Sequence, residues 1–272
     1  SWPGTTVTYW PLFPAVVKAL RAEGIKMIEG QQVVRLAGTA GAVEVTLGDG
    51  QQATGTHLLI AVGRKVGLDG LNLAAAGVAH TAKGVTVDAR LRTTNRRIFA
   101  VGDAAGGLQF THVAGWHAGI VIRQAVLGLP AKADTRAIPR ATYTDPELAQ
   151  VGMTEAEARN LHGKQLTVVM ADFAHNDRAQ VEGKAQGLIK VMVVKGRPVG
   201  ASIVGPQAGE LIGLWTLAIS ARLKLSAIAG MVAPYPTLGE VSKRAAGAYF
   251  GPKLFENPAL KRLVRFIQRW VP

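Results

Sequence analysis

A chain of 272 residues, of which 48% are hydrophobic, can form one large domain or two ordinary ones, and its composition excludes a disordered chain. The net charge of +13 suggests anionic partners, but no basic motif with interleaved aromatic residues predicts nucleic-acid binding. The absence of cysteine excludes a disulfide framework, a thiolate metal site and a dithiol redox centre within this chain. No apolar run reaches the roughly 18 to 20 residues of a membrane-spanning helix and no signal-peptide pattern opens the chain, so a cytoplasmic protein is expected.

Residues 1–64 have a pattern typical of the end of a dinucleotide-binding domain. Apolar spacing predicts a helix over residues 15–23. No G-x-G-x-x-G turn follows a strand, although that turn lets a pyrophosphate approach the start of a helix. The phosphate loop of such a domain is therefore expected before Ser1, which is not a methionine. Short strands are predicted over residues 25–28, 32–36, 43–47 and 56–62.

The sharpest motif is TNRRIFAVGDA at residues 94–104. Its apolar run at residues 98–101 suits a strand that is buried on both faces, and Gly102 leaves room where such a strand ends. Asp103 places a carboxylate at that point, and a carboxylate suits two hydroxyls of a polyol chain. The alternative role for Asp103 is that of a loop residue that caps the next turn.

A helix predicted over residues 112–127 follows this motif, and its first backbone N–H groups would point toward an electron-rich group. His112 stands at its start, where a buried or capping histidine is the alternative to a ligand-binding one. His112 and His117 are five positions apart, so their imidazoles diverge on a helix, which argues against a metal site.

The composition changes at residues 131–139, which predicts a linker followed by an α+β domain. Thr154 and Glu157 form a capping box for a helix that extends to about residue 161. The longest helix is predicted over residues 207–225. Strands are predicted over residues 140–143, 166–172, 188–194 and 199–204, with a hairpin turn at residues 195–198.

Four segments of the chain resemble, in the same order, motifs of the class I pyridine nucleotide-disulfide oxidoreductases, the family of dihydrolipoamide dehydrogenase, glutathione reductase and mercuric reductase. Residues 61–64, AVGR, resemble the segment in which the nicotinamide domain returns to the flavin domain. Residues 100–114 resemble the second flavin motif. Residues 145–155 and 205–212 resemble the opening and the long helix of the dimerisation domain.

The resemblance implies an α/β plus α+β chain, in which a remnant of Rossmann-like nucleotide-binding domains precedes an α+β dimerisation domain. It implies a homodimer formed through residues 139–251, and FAD and NAD(P)H as cofactors of the complete protein. The implied parts are the ends of the NAD(P)-binding domain (1–64) and of the FAD-binding domain (65–138), the dimerisation domain (139–251) and an amphipathic C-terminal helix (252–272).

The resemblance also implies the roles of individual residues at the flavin. Asp103 would bind the ribityl hydroxyls of FAD, and the helix that begins near His112 would face the pyrimidine edge of the flavin. No metal site is predicted. The implied cofactor-binding residues are Gly63, Arg64, Gly102, Asp103, Thr111, His112, Val113 and Ala114.

The family places a catalytic pair in the segment PYPTLGE, and the resemblance assigns this pair to Tyr235 and Glu240, acting in the partner protomer's active site. The disulfide reductases usually have histidine where Tyr235 stands. A phenol, whose pKa is ordinarily about 10, is a hydrogen-bond donor and a poor general base at neutral pH, which disfavours dithiol exchange. The mercuric reductase branch also has tyrosine there, but it carries a C-terminal cysteine pair that this chain lacks.

A structural role is the alternative for the same segment. Thr237 and Glu240 match a capping box for a helix predicted over residues 241–249. In that case the carboxylate of Glu240 binds a backbone amide instead of serving a reaction.

Residues 258–271 predict an amphipathic helix. Such a helix either packs its apolar stripe on its own protein, which is the commoner case and is expected here, or lies on an acidic membrane surface. The apolar residues Leu260, Leu263, Val264, Ile267 and Trp270 stand opposite Lys261, Arg262, Arg265 and Arg269.

The complete protein is expected to transfer hydride from NADH or NADPH to FAD and then to deliver electrons to an acceptor that the sequence does not identify. The first flavin glycine motif, any dithiol and the nicotinamide pyrophosphate loop would all precede Ser1, so the chain alone is expected to be inactive. The alternative is a non-catalytic fragment that self-associates through residues 140–250.

Overall fold

The structure, a computed structural model, describes residues 12–252 and 258–270. The chain divides into two compact units. The first comprises Glu29–Thr135, and the second comprises residues 12–28 together with the described residues from Arg136 onward. Both units combine helices with antiparallel sheets, which agrees with the mixed α/β plus α+β class predicted from the sequence.

The helices and strands of the described residues are numbered in chain order. The α-helices are α1 (Phe13–Ala22), α2 (Thr111–Ala125), α3 (Glu155–His162), α4 (Asp177–Val181), α5 (Ala208–Ser220), α6 (Leu225–Gly230), α7 (Glu240–Ala248) and α8 (Pro258–Trp270). The strands are β1 (Val33–Thr39), β2 (Ala42–Leu47), β3 (Gln52–Gly55), β4 (His80–Thr81), β5 (Gly84–Val85), β6 (Arg140–Thr142), β7 (Glu147–Gly152), β8 (Leu166–Asp172), β9 (Leu188–Val194) and β10 (Arg197–Gly205).

The second unit is built on a five-stranded antiparallel sheet in the order β6-β7-β10-β9-β8. Helix α5 packs against β7 and β10, and helix α7 packs against β8 and β9. Every residue of β9 after Leu188 is buried, including Lys190, because β9 is an interior strand of a covered sheet. The largest fully buried side chains of this core include Phe173, Ile189, Met192, Ile203, Trp215 and Leu225.

Helix α1 confirms the helix predicted near the start of the chain, and its apolar side packs on the five-stranded sheet of the second unit. Leu12 and Val16 are buried in one cluster with Leu148 of β7 and Val204 of β10. The sequence prediction had placed this helix in the nicotinamide domain, whereas the compact units group it with the sheet. The domain boundaries stay a prediction.

Most elements predicted for the second unit are confirmed, and two differ for local reasons. The Thr154–Glu157 capping box is present and opens α3. The helix predicted over residues 207–225 ends at Ser220, because Arg222 adopts a left-handed conformation (φ 52°) and Leu223 closes a Schellman-type turn onto Ala218.

Strand β7 is not among the strands predicted from the sequence. Its apolar run is interrupted by Gln150. A polar residue predicts an exposed position, but Gln150 is only 1% exposed. The Gln150 amide nitrogen donates to the Gly152 carbonyl at 3.1 Å, and its oxygen accepts from Arg140 Nε at 2.8 Å. These bonds let a polar side chain occupy a buried position.

The first unit contains a three-stranded antiparallel sheet, β1-β2-β3, and a short β4-β5 hairpin. Strands β1 and β2 confirm the predictions over residues 32–36 and 43–47. A small apolar cluster of Val78, Val85 and Ala100 lies beneath the segment that leads to Gly102.

Three strand predictions in the first quarter and middle of the chain are wrong. Residues 25–28 and 56–62 form no strand, and residues 98–101 contribute only an isolated bridge between Phe99 and Arg92. Leu59 and Val62 are 88% and 86% exposed. A strand forms only where neighbouring strands pair with it, and none of the sheets in the described residues includes these three segments.

Candidate functional site

Arg64 and Asp103, two of the predicted cofactor-binding residues, form an ion pair. Arg64 Nη1 donates to Asp103 Oδ2 at 3.0 Å. The side chains remain 65% and 41% exposed, so the pair contributes little to stability and its carboxylate is open to a further donor. The pair therefore brings together two segments that are 39 positions apart in sequence.

Gly102 holds this carboxylate close to the start of helix α2. It opens a short 3-10 helix, Gly102–Ala105, with φ of 58°, a left-handed conformation that favours glycine. A Cβ added at Gly102 would lie 2.8 Å from the Cβ of Ala114. The close approach of the turn to α2 therefore depends on a residue without a side chain.

His117 fixes the same turn from within α2. The backbone N–H of Gly102 donates to His117 Nδ1 at 3.1 Å, and the imidazole is 7% exposed. The ring of Trp116 lies 5.2 Å from the imidazole. Sequence reasoning missed this role, although the spacing of Val113, His117 and Ile120 on one buried helix face was a signal for it.

The His117 contact makes the stability of the first unit depend on pH. Nδ1 accepts a hydrogen bond only when it is unprotonated, and burial lowers the pKa of His117 from 6.5. Because the pKa is lower in the folded state, the stabilisation is present above pH 6.5 and is lost as pH falls through the lower folded value. We expect the free energy of unfolding to fall below pH 6.5, measured by urea denaturation.

The control for this expectation uses two glutamine substitutions. His117→Gln retains an acceptor that does not titrate, so the decline at low pH should flatten. His80→Gln changes an exposed histidine of the same unit and should leave the profile unaltered. A His117→Gln profile identical to that of the unsubstituted chain would contradict the assignment.

The remaining predicted flavin residues differ in what they can offer. Gly63 and Thr111 are exposed, and the ring of exposed His112 stacks on Phe110 with centroids 5.1 Å apart. The side chain of Val113 is 3% exposed and its N–H donates to the Phe110 carbonyl at 3.0 Å. Val113 therefore stabilises the helix from its buried side, whereas the side chains of Thr111 and His112 are accessible.

Tyr235 lies on the second unit, in the loop before α7. Its hydroxyl donates to Asp177 Oδ2 at 2.8 Å, and the side chain is 70% exposed. The hydrogen bond to Asp177, the charge of that carboxylate and the charge of Glu240 all raise the pKa of Tyr235 above 10.0. Tyr235 therefore keeps its proton at neutral pH and is unsuited to act as a general base.

Glu240 makes the contact that the capping box predicts for it, whereas Thr237 does not. Glu240 Oε2 accepts from the backbone N–H of Thr237 at 3.4 Å, but the Thr237 hydroxyl donates to the Pro234 carbonyl at 2.8 Å and does not cap α7. Only half of the capping box forms. Asp177, the hydrogen-bond partner of Tyr235, was missed because it is 58 positions away and no local pattern links the two.

Within residues 12–252 and 258–270, no group of His, Asp or Glu side chains is placed to hold a metal ion, and no helix is long and apolar enough to cross a membrane.

Comparison with known proteins decides the family. The family model described as pyridine nucleotide-disulphide oxidoreductase matches residues 12–118, and the model described as its dimerisation domain matches residues 138–246. This chain belongs to the class I pyridine nucleotide-disulfide oxidoreductases. In this oxidoreductase chain the two matched regions stand in the same order as the family motifs identified in the sequence.

Relatives of this oxidoreductase chain are longer than the chain itself. It is 36% identical to a dihydrolipoyl dehydrogenase of Bacillus subtilis, over 70% of this chain and 41% of the relative. It is 35% identical to a mercuric reductase of Acidithiobacillus ferrooxidans, over 86% of this chain and 43% of the relative. The Cu(II) complex of the HOCl-induced flavoprotein disulfide reductase RclA of Escherichia coli matches with a TM-score of 0.80 and 29% identity, over 87% of this chain and 54% of that one. The chain therefore spans about half the length of these relatives.

Proposed function

We propose that this chain is the C-terminal part of an FAD-dependent oxidoreductase that passes hydride from NADH or NADPH through FAD to an acceptor. Members of the family use FAD and NAD(P)H. The observation that carries the proposal is the 3.0 Å pair of Arg64 and Asp103. It joins the segment that resembles the return to the flavin domain to the segment that resembles the second flavin motif. The cytoplasmic location expected from the sequence accompanies this proposal as a prediction.

The residues around Asp103 fit FAD. A half-exposed carboxylate can accept hydrogen bonds from ribityl hydroxyls, and Arg64 orients it. The first turn of α2 contains exposed Thr111 and His112, and the positive end of the helix dipole there favours the electron-rich pyrimidine edge of the flavin. FAD, when bound, would supply the group that accepts hydride from NAD(P)H and passes the electrons on to the acceptor.

The exposed apolar residues of the first unit support a longer parent protein. Leu59, Ile60 and Val62 in one segment, and Val126 and Leu127 after α2, are all more than half exposed. Monomeric proteins rarely leave so many large apolar side chains in water. We propose that the rest of the parent protein covers them and completes both nucleotide sites, so that the chain alone does not catalyse NAD(P)H oxidation.

The substitution Asp103→Asn tests the flavin site in the parent protein. Asparagine keeps the size of the side chain but loses the charge, and a hydrogen bond to a charged group contributes about 1.5–3 kcal/mol. We expect FAD affinity to fall by about tenfold to a hundredfold or more. Flavin absorbance of the purified protein and titration of the apoprotein with FAD measure the change.

The matched control is Asp69→Asn, which alters an exposed carboxylate of the same unit that is not part of the proposed site. It should leave flavin content unchanged. Equal flavin content in the Asp103→Asn and unsubstituted proteins would exclude the proposed role of Asp103.

Self-association alone is the second candidate function, and the completeness of the second unit favours it. The five-stranded sheet and its core are built within the described residues from Arg136 to residue 252. We propose that residues 139–251 form the homodimer interface. A parent protein that is dimeric by sedimentation, but shows neither flavin absorbance nor NAD(P)H oxidation, would support this candidate over the first.

We propose that the Tyr235 hydroxyl exchanges its bond to Asp177 for a hydrogen bond donated in the partner protomer's active site, and that Glu240 positions its loop by binding Thr237. Tyr235→Phe removes only the hydroxyl, and one lost hydrogen bond corresponds to roughly tenfold in kcat of the parent enzyme. The fold should be unaffected because the side chain is 70% exposed. Tyr143→Phe, at an 82% exposed tyrosine, is the control. The same kcat for both variants would remove Tyr235 from the reaction.

A further inference from the structure

Helix α8 leaves an apolar face uncovered. None of its residues from Pro258 to Trp270 is buried. The expectation that its stripe packs on its own protein is therefore not met in the described residues. The uncovered side chains are Leu263, Val264, Phe266, Ile267 and Trp270, which are 42–68% exposed.

The two faces of α8 are completely separated in character. At 100° per residue, all apolar residues from Ala259 to Trp270 fall within one arc of about 160°. The opposite arc holds Gln268 and four cations, and the helix contains no acidic residue. The cations are Lys261, Arg262, Arg265 and Arg269.

The single sign of charge identifies the kind of surface that covers this face. A helix that docks on a protein usually carries both signs on its solvent side, whereas four cations without a counter-charge complement a surface of lipid phosphates. Phe266 and Trp270, whose ring centroids are 6.2 Å apart on the apolar side, suit the boundary between headgroups and acyl chains. The length and charge of α8 fit a helix that lies in this boundary.

We propose that α8 binds the surface of an anionic lipid bilayer, with its apolar arc at the acyl boundary and its cations at the phosphates. The helix lies parallel to the surface. This binding is a property of the chain beyond its proposed redox role, since α8 lies outside both regions matched by the family models.

Flotation of the full chain with vesicles tests the proposal. We expect binding to vesicles that contain phosphatidylglycerol and much weaker binding to vesicles of phosphatidylcholine alone. The triple variant Arg262→Gln, Arg265→Gln, Arg269→Gln should bind roughly fivefold more weakly for each cation lost, or about a hundredfold in all. The double variant Phe266→Ser, Ile267→Ser should lose on the order of tenfold or more at unchanged charge.

Two control variants make the same changes elsewhere. A triple glutamine variant at the exposed residues Arg35, Lys65 and Arg96 removes three charges, and Val181→Ser with Val232→Ser removes two exposed apolar side chains. Both should bind vesicles like the unsubstituted chain. Loss of binding in these controls equal to that in the α8 variants would overturn the proposal.

Two other outcomes also overturn it. Binding that survives the Phe266 and Ile267 substitutions would show attraction by charge alone. Absence of vesicle binding, together with a change of sedimentation mass in the same double variant, would show that a second copy of the chain covers the face.

Discussion

Replacing Trp215 with alanine is expected to lower the free energy of unfolding of the second unit by about 3–5 kcal/mol. The indole is 0% exposed, at the centre of the core between α5 and the sheet. Its Nε1 donates to the hydroxyl of Ser242, itself 1% exposed, at 3.1 Å. The substitution leaves a cavity and also a buried hydroxyl without its donor, and both effects destabilise.

Urea denaturation followed by far-ultraviolet circular dichroism measures this loss without relying on tryptophan emission. Trp270→Ala is the control, since that indole is 68% exposed on α8. The control should change the free energy of unfolding by no more than about 0.5 kcal/mol. Comparable losses in the two variants would contradict the position of Trp215 in the core.

Gly200→Ala is expected to destabilise the same sheet by about 3 kcal/mol. The register of β10 shifts between Pro198 and Gly200, and this irregularity brings Gly200 against the backbone that follows β7. A Cβ added there would lie 1.9 Å from the Met153 carbonyl oxygen. Since the obstacle is backbone, the strands must separate to admit a methyl group, which weakens the bond from Met153 N–H to the Val199 carbonyl.

Gly213→Ala makes the identical chemical change in α5, where nothing lies within 4 Å of the added Cβ. Alanine loses less conformational freedom than glycine in a helix, so this variant should gain about 0.5–1 kcal/mol. Thermal unfolding of both variants checks the opposite signs. A Gly200→Ala chain as stable as the unsubstituted one would show that β10 relaxes more easily than this register allows.

The sequence predicted the second unit better than the first because the second unit is complete in itself. The strands over residues 166–172 and 188–194 have the bounds predicted, since each finds its neighbours within the same sheet. The strand predicted over residues 56–62 lacks such neighbours among the described residues, so the same apolar signal produces no strand. A strand pattern is fulfilled only where its partner strands exist.

The candidate sites divide in the same way. The Gly102-Asp103 turn could be found from sequence, because a small residue and a carboxylate after an apolar run form a local pattern. The contacts that hold the sites could not, since Arg64 reaches Asp103, His117 reaches Gly102 and Asp177 reaches Tyr235 across 15 to 58 positions. Local patterns locate a functional turn, whereas the residues that orient it depend on tertiary packing.

The exposed apolar stretch of residues 58–62, LLIAV, is expected to make any preparation of this chain prone to aggregation. An exposed, uncharged segment with high β-propensity is a template for intermolecular strand pairing. Such pairing produces precipitates and soluble aggregates of increasing size. Such aggregation is unrelated to the homodimer that we propose for the second unit. The substitution Ile60→Lys, at a side chain that is 63% exposed, should suppress this aggregation and leave the proposed homodimer intact.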